Sequence, residues 1–146
     1  YIPVGKRGFG MRSIITDYQW TNARDEMDSA NQETMAVLQI ESKEGLESVE
    51  EIAAIPGVDA LMIGPYDLSI SMGIAEEFRN PVFWKAVDRV ILACSKAGIA
   101  AGVQFGSMEF LRECQKRGVR FLLYSNDVTV LLEGYRQAMV LLRQGF

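Results

Sequence analysis

The 146-residue chain contains no histidine. That excludes a Ser-His-Asp triad, a Cys-His pair and any histidine-ligated metal built from these residues. Cysteine is scarce: Cys94 and Cys114 are not spaced as metal ligands, and both read as small apolar side chains in a reducing compartment. Long apolar runs are missing too. The longest uncharged stretch, residues 97–108, holds 12 residues, against about 20 for a membrane span. No basic start leads into an apolar stretch, so no signal peptide is expected and the expected location is cytoplasmic. Fifteen Lys and Arg against 19 Asp and Glu give a net charge of −4 with no basic stripe, which argues against a nucleic-acid partner. Lys6, Lys43, Lys85, Lys96 and Lys116 all fall outside the predicted strands, which argues against Schiff-base chemistry. The chain opens on Tyr1 rather than methionine, as a truncated or processed N-terminus would.

Hydrophobic residues make up 49% of the chain, enough for one core, and residues 1–146 are expected to form a single domain. Residues 1–16, with Gly5, Gly8 and Gly10 among basic residues, lack periodicity and read as a loop or arm. Residues 17–32 read as a helix with Trp20, Ala23 and Met27 on one stripe. Alternation follows: a strand at 34–41, a helix at 44–55 stopped by Pro56-Gly57, a strand at 59–64 and a loop at 64–73. Asn80-Pro81 opens a helix that ends at Gly98. A strand at 99–105, a helix at 107–116 ending at Gly118, a strand at 119–124 and a helix at 127–143 complete the pattern. Strands alternating with helices imply parallel βαβ units. Two architectures fit: a complete doubly wound sheet, or half of an eight-unit barrel, which needs about 250 residues.

Strand alternation points Gln39 and Glu41 to one face and Leu38 and Ile40 to the other. Gln39 and Glu41 then stand at the carboxyl end of their strand, where parallel α/β proteins place their active sites. Asp67 follows the next strand closely. Two carboxylates without His or Cys form a hard oxygen site suited to Mg²⁺ or Mn²⁺, although either acid alone also fits a solvated side chain or a helix start. In Gly64-Pro65-Tyr66-Asp67 the glycine permits close approach to the backbone, and the Tyr66 and Asp67 N–H groups can meet an anion; a plain rigid turn fits equally. Gly5-Lys6-Arg7-Gly8 lacks the spacing of a phosphate loop and follows no strand, while Arg7 suits a mobile carboxylate clamp.

Three segments, YIPVGKRGFG, LQIES and GVDALMIGPYDLSISMG, together with AGIAAGVQFG and the terminal D-x-T-x-L-L, resemble the HpcH/HpaI family of class II pyruvate aldolases along essentially the whole chain. The resemblance implies an α/β fold, a parallel (β/α)₈ barrel of TIM type of which this chain supplies about the last four βα units. It implies cleavage of 4-hydroxy-2-keto acids to pyruvate and an aldehyde through a metal-stabilised enolate. By the same likeness Glu41 and Asp67 are the metal ligands, Gln39 lies beside the keto acid, and Gly64 with the Tyr66 and Asp67 amides holds its carboxylate. Arg7 belongs to a loop that helps cover the active site near a subunit boundary. A homo-oligomer is implied, with the last helix exchanged through Val130, Leu131, Met139 and Leu142. The family's first half carries a histidine and an arginine without counterparts here, so the chain alone is expected to be inactive. Gln104 and Tyr124-Ser125-Asn126 depart from the family's apolar and small residues, which leaves the aldehyde open. A citrate- or malyl-CoA-lyase-like enzyme on the same barrel and a non-catalytic flavodoxin-like domain are the alternatives.

Overall fold

The computed structural model describes residues 1–10, 12 and 14–144. They fall into two compact units, Tyr1–Met35 and Ala36–Phe146. In the first, a 3₁₀ turn at Ile14–Thr16 precedes helix α1, Ala23–Glu33. The sequence pattern starts this helix at Asp17. Asp17 and Tyr18 instead adopt φ of 51° and 59°, which a right-handed helix does not contain. Asn22 caps α1, its side-chain oxygen accepting from the Arg24 N–H at 2.9 Å. Trp20 thus lies ahead of the helix, exposed and under the Arg12 guanidinium, rather than on an apolar stripe. Residues 1–10 contain neither helix nor strand, as their composition predicts; Met11 and Ser13 of the same predicted loop lie outside the described residues.

The second unit is a four-stranded, all-parallel sheet in the order β1 (Val37–Ile40), β2 (Ala60–Ile63), β3 (Ala100–Phe105), β4 (Phe121–Tyr124). Consecutive order leaves no switch point, so the sheet is an arc of a barrel and not a doubly wound sheet. Between the strands run α2 (Lys43–Glu47) and α3 (Val49–Ala53), then α4 (Pro65–Ser71) and α5 (Pro81–Ala97), then α6 (Met108–Arg117); α7 (Asp127–Gln144) follows β4. The single helix expected at 44–55 breaks at Ser48, whose ψ of 12° departs from the helix. The segment expected as a loop at 64–73 contains α4, because Pro65 sits at the first helical position, where its fixed φ and missing N–H cost nothing.

Ile40, Leu61, Ile63, Ala101 and Val103 share one face of the sheet and join Phe83, Val87, Val90, Leu111, Cys114 and Val119 in the core. The helices therefore cover this face. Caps fix their ends: Asn80 accepts from the Val82 N–H, Ser107 from the Phe110 N–H, and Gly98 and Gly118 close α5 and α6 at positive φ. Arg89 on α5 donates to both Glu50 oxygens and to the Glu47 carbonyl, tying α2 and α3 down. The guanidinium holds the Glu50 carboxyl at about 2. Its contribution is thus present at neutral pH and fades as the medium is acidified from the ordinary carboxylate range toward that value.

Cys94 and Cys114 are buried, and burial raises both thiols, Cys114 to about 12. Thiolate is the reactive form. The native protein should therefore leave both cysteines unmodified by a disulfide-exchange reagent at pH 8 and release thiol absorbance on denaturation. Rapid reaction without denaturant would contradict this packing. Among the described residues no helix is long and apolar enough to cross a membrane.

Candidate active site

Pairing aligns Gln39 with Met62 and Gly102, and Ile40 with Ile63 and Val103. One residue further on, Glu41, Gly64 and Gln104 therefore follow one another across neighbouring strands, on the face away from the helices. The Gly64 N–H donates to the Ile40 carbonyl at 3.0 Å, carrying the ladder past the strand ends. Gln39 Nε2 donates to Glu41 Oε2 at 2.5 Å. A Cβ on Gly64 would stand 2.9 Å from Gln39 Nε2 and 3.0 Å from Glu41 Cβ, so only glycine leaves space for these two side chains.

Gly64 is the N-cap of α4, and Leu68 supplies the first backbone N–H that reaches back, to the Gly64 carbonyl at 2.9 Å. Pro65 has no N–H. The Tyr66 and Asp67 N–H groups belong to the first turn, where no helical carbonyl lies behind them. Asp67 stands in the same turn, with its side chain exposed.

A cleft of about 370 Å³ lies at these strand ends, lined by Gln39, Gly64, Tyr66 and Asp67 and, across from them in the strand order, by Gln104, Ser125, Asn126 and Thr129. Gln104 Nε2 donates to the Ser125 carbonyl at 2.7 Å, Asn126 Oδ1 accepts from the Thr129 N–H at 2.9 Å, and Ser125 adopts φ 53°. The Tyr66 ring stacks on Phe105 with 5.4 Å between centroids. Gln39, Gly64, Tyr66 and Asp67, expected from the sequence, thus share one cleft, and Glu41 joins it through its hydrogen bond to Gln39. Arg7 belongs to the 1–35 unit, where its guanidinium lies over the Tyr1 ring. Thr129 and Phe105 are not anticipated from the sequence. Strand register is the signal that brings them in, and it is not written in local periodicity.

The donor chemistry suits a hard divalent cation. Among the described residues no three carboxylates or thiols gather as a metal cage. Glu41 and Asp67 are two carboxylates following adjacent strands, and Mg²⁺ or Mn²⁺ accepts one or two carboxylates with water and substrate oxygens completing its shell.

A parallel arc of βα units, with acidic and amide side chains at the carboxyl ends of its strands, defines part of a (β/α)₈ barrel. The chain belongs to the HpcH/HpaI aldolase/citrate lyase family, whose model matches residues 1–133. It is 37% identical over 132 residues to a hydroxypyruvate/pyruvate aldolase of Paraburkholderia phytofirmans, covering 90% of this chain and 46% of that protein. A 4-hydroxy-2-oxo-heptane-1,7-dioate aldolase of Shigella sonnei is 30% identical over 131 residues, covering 90% of this chain and 50% of that protein. The crystal structure of a family member from Burkholderia cenocepacia J2315 superposes with a TM-score of 0.83 at 36% identity, over 97% of this chain and 54% of that one. The chain spans about half the length of the curated relatives it matches.

Proposed function

We propose that this chain is part of a metal-dependent aldolase that cleaves 4-hydroxy-2-keto acids to pyruvate and an aldehyde, and runs the condensation in reverse. The observation that carries the reading is the meeting of Glu41, Gln39 and Gly64 at adjoining strand ends, one helical turn from Asp67. Relatives named as aldolases support it.

In this reading the Glu41 and Asp67 carboxylates hold Mg²⁺ or Mn²⁺. When bound, the cation supplies concentrated positive charge beside the oxygen on which negative charge develops as the carbon–carbon bond breaks. Gln39 fixes Glu41 through its amide and lies beside the keto acid. The Tyr66 and Asp67 N–H groups, on the cleft wall, receive the keto acid's carboxylate. Glu41 and Asp67 are committed to the cation, so neither serves as the proton acceptor.

The direct test uses the intact barrel protein that carries this chain. With Mg²⁺ or Mn²⁺ it should exchange the pyruvate methyl protons for deuterium in D₂O, a reaction that needs no aldehyde, and chelation should stop the exchange. Metal-independent exchange, or none with metal present, would defeat the reading. The 146-residue chain by itself should turn over no substrate.

We extend the reading to assembly. Helix α7 has no buried residue along its 18 positions, and Leu131 and Leu142 are 63% and 61% exposed. An apolar surface of that length on a single helix suits burial against a second subunit of the same protein. Leu131→Asp combined with Leu142→Asp should shift the intact protein to a lower oligomer in light scattering. An unchanged mass would remove α7 from the interface.

A further inference from the structure

The geometry points to Ser71 as a positioning residue that sets the spacing between the segments carrying Glu41 and Asp67. The inference rests on the metal-site reading above. Asp67 and Ser71 lie four residues apart in α4 and so share one helical face. Ser71 Oγ, one turn beyond Asp67, accepts a hydrogen bond from the Lys43 N–H at 2.9 Å. Lys43 is only two residues after Glu41. It is also the first residue of α2, whose first-turn N–H groups have no carbonyl of their own helix to reach. Ser42 caps that turn at the Gly45 N–H, which leaves the Lys43 N–H to Ser71.

Helix α4 is itself held at a fixed pose. Ser69, fully buried, donates to the Tyr66 carbonyl at 2.8 Å and accepts from the Glu76 N–H at 3.0 Å. At its other end the Gly64 N–H grips the Ile40 carbonyl. The peptide unit is planar, so fixing the Tyr66 carbonyl also fixes the Asp67 backbone. One rigid turn therefore carries Asp67 to the cleft and, through Ser71, draws in the backbone next to Glu41. A bond between the two segments stops the carboxylates from drifting apart, which is how groups behind a metal's ligands raise its affinity.

Ser71 is exposed, so its removal leaves the Lys43 N–H to water rather than burying it unpaired. That separates positioning from folding. In the intact protein, Mn²⁺ titration followed by the paramagnetic signal of the free ion should show Ser71→Ala weakened about tenfold, at the lower end for loss of such a group. Its Tm should stay within about 2 °C of wild type. Ser71→Thr, which keeps the hydroxyl, should restore the affinity. Mn²⁺ affinity within about twofold of wild type in Ser71→Ala overturns the inference, as does a loss of affinity that tracks a matching loss of Tm. Glu41→Gln serves as the reference for the underlying reading: if it binds Mn²⁺ as wild type does, the metal site itself is wrong. If Glu41→Gln fails to bind while Ser71→Ala binds normally, only the role of Ser71 falls.

Discussion

Replacing Glu41 by Gln, or Asp67 by Asn, should lower aldol cleavage by the intact protein about 1000-fold and weaken its hold on Mg²⁺ or Mn²⁺ in parallel. Both changes keep the shape of the side chain and remove its negative charge. A divalent cation contributes several kcal/mol of charge stabilisation in the transition state, and each ~1.4 kcal/mol is a factor of ten in rate. Both residues are exposed and lie outside the core, so melting should hardly move. In Glu41→Gln the new side chain would still meet Gln39, amide to amide, without offering the anionic oxygen that now accepts at 2.5 Å. The two readings to compare are metal affinity and the pyruvate exchange rate. Two variants that both bind metal like wild type would leave the proposed activity without its central support.

Gly64→Ala should be the next most damaging change, with a loss of about 100-fold in kcat/KM, the scale expected when reacting groups shift by about 1 Å. Backbone strain is not the reason, since Gly64 has φ −97°, a value alanine accepts. The new methyl group would stand 2.9 Å from Gln39 Nε2 and 3.0 Å from Glu41 Cβ. Gln39 can swing its amide away, but doing so releases Glu41. Glu41 cannot yield at Cβ without moving its own backbone, which is tied into the strand through Ile40. The folded state should persist while Mn²⁺ binding and turnover fall together. Full turnover in this variant would show that the close approach at the strand ends has no functional role.

Much of the fold is legible in the residues themselves. The boundaries at Asn80, Gly98 and Gly118 act within one turn, and the structure realises each of them, while Ser107, expected as the first helical residue, is instead the cap of α6. The apolar runs mark four strands near their observed places, though β1 is shorter than the run at 34–41 and begins at Val37. Helix α4 is hidden because glycine, proline and serine usually interrupt helices. Here Gly64 and Pro65 start one, and Ser69 and Ser71 spend their hydroxyls on neighbouring backbone rather than on breaking it. Trp20 misleads for a similar reason: its spacing to Ala23 and Met27 suits a helix, but the left-handed backbone at Asp17 and Tyr18 delays the helix until Ala23.

The sequence by itself determined the order of strands and helices, most of their ends and the acidic and amide residues available for chemistry. Those properties depend on interactions between residues a few positions apart. Only the tertiary structure decided that Glu41 lies beside Gly64, that Gln104 follows in the same row, and that Ser71 reaches the backbone after Glu41. Parallel strands meet through long connections, so their register is set by core packing on the helix-covered face and by the backbone ladder. No local pattern encodes either.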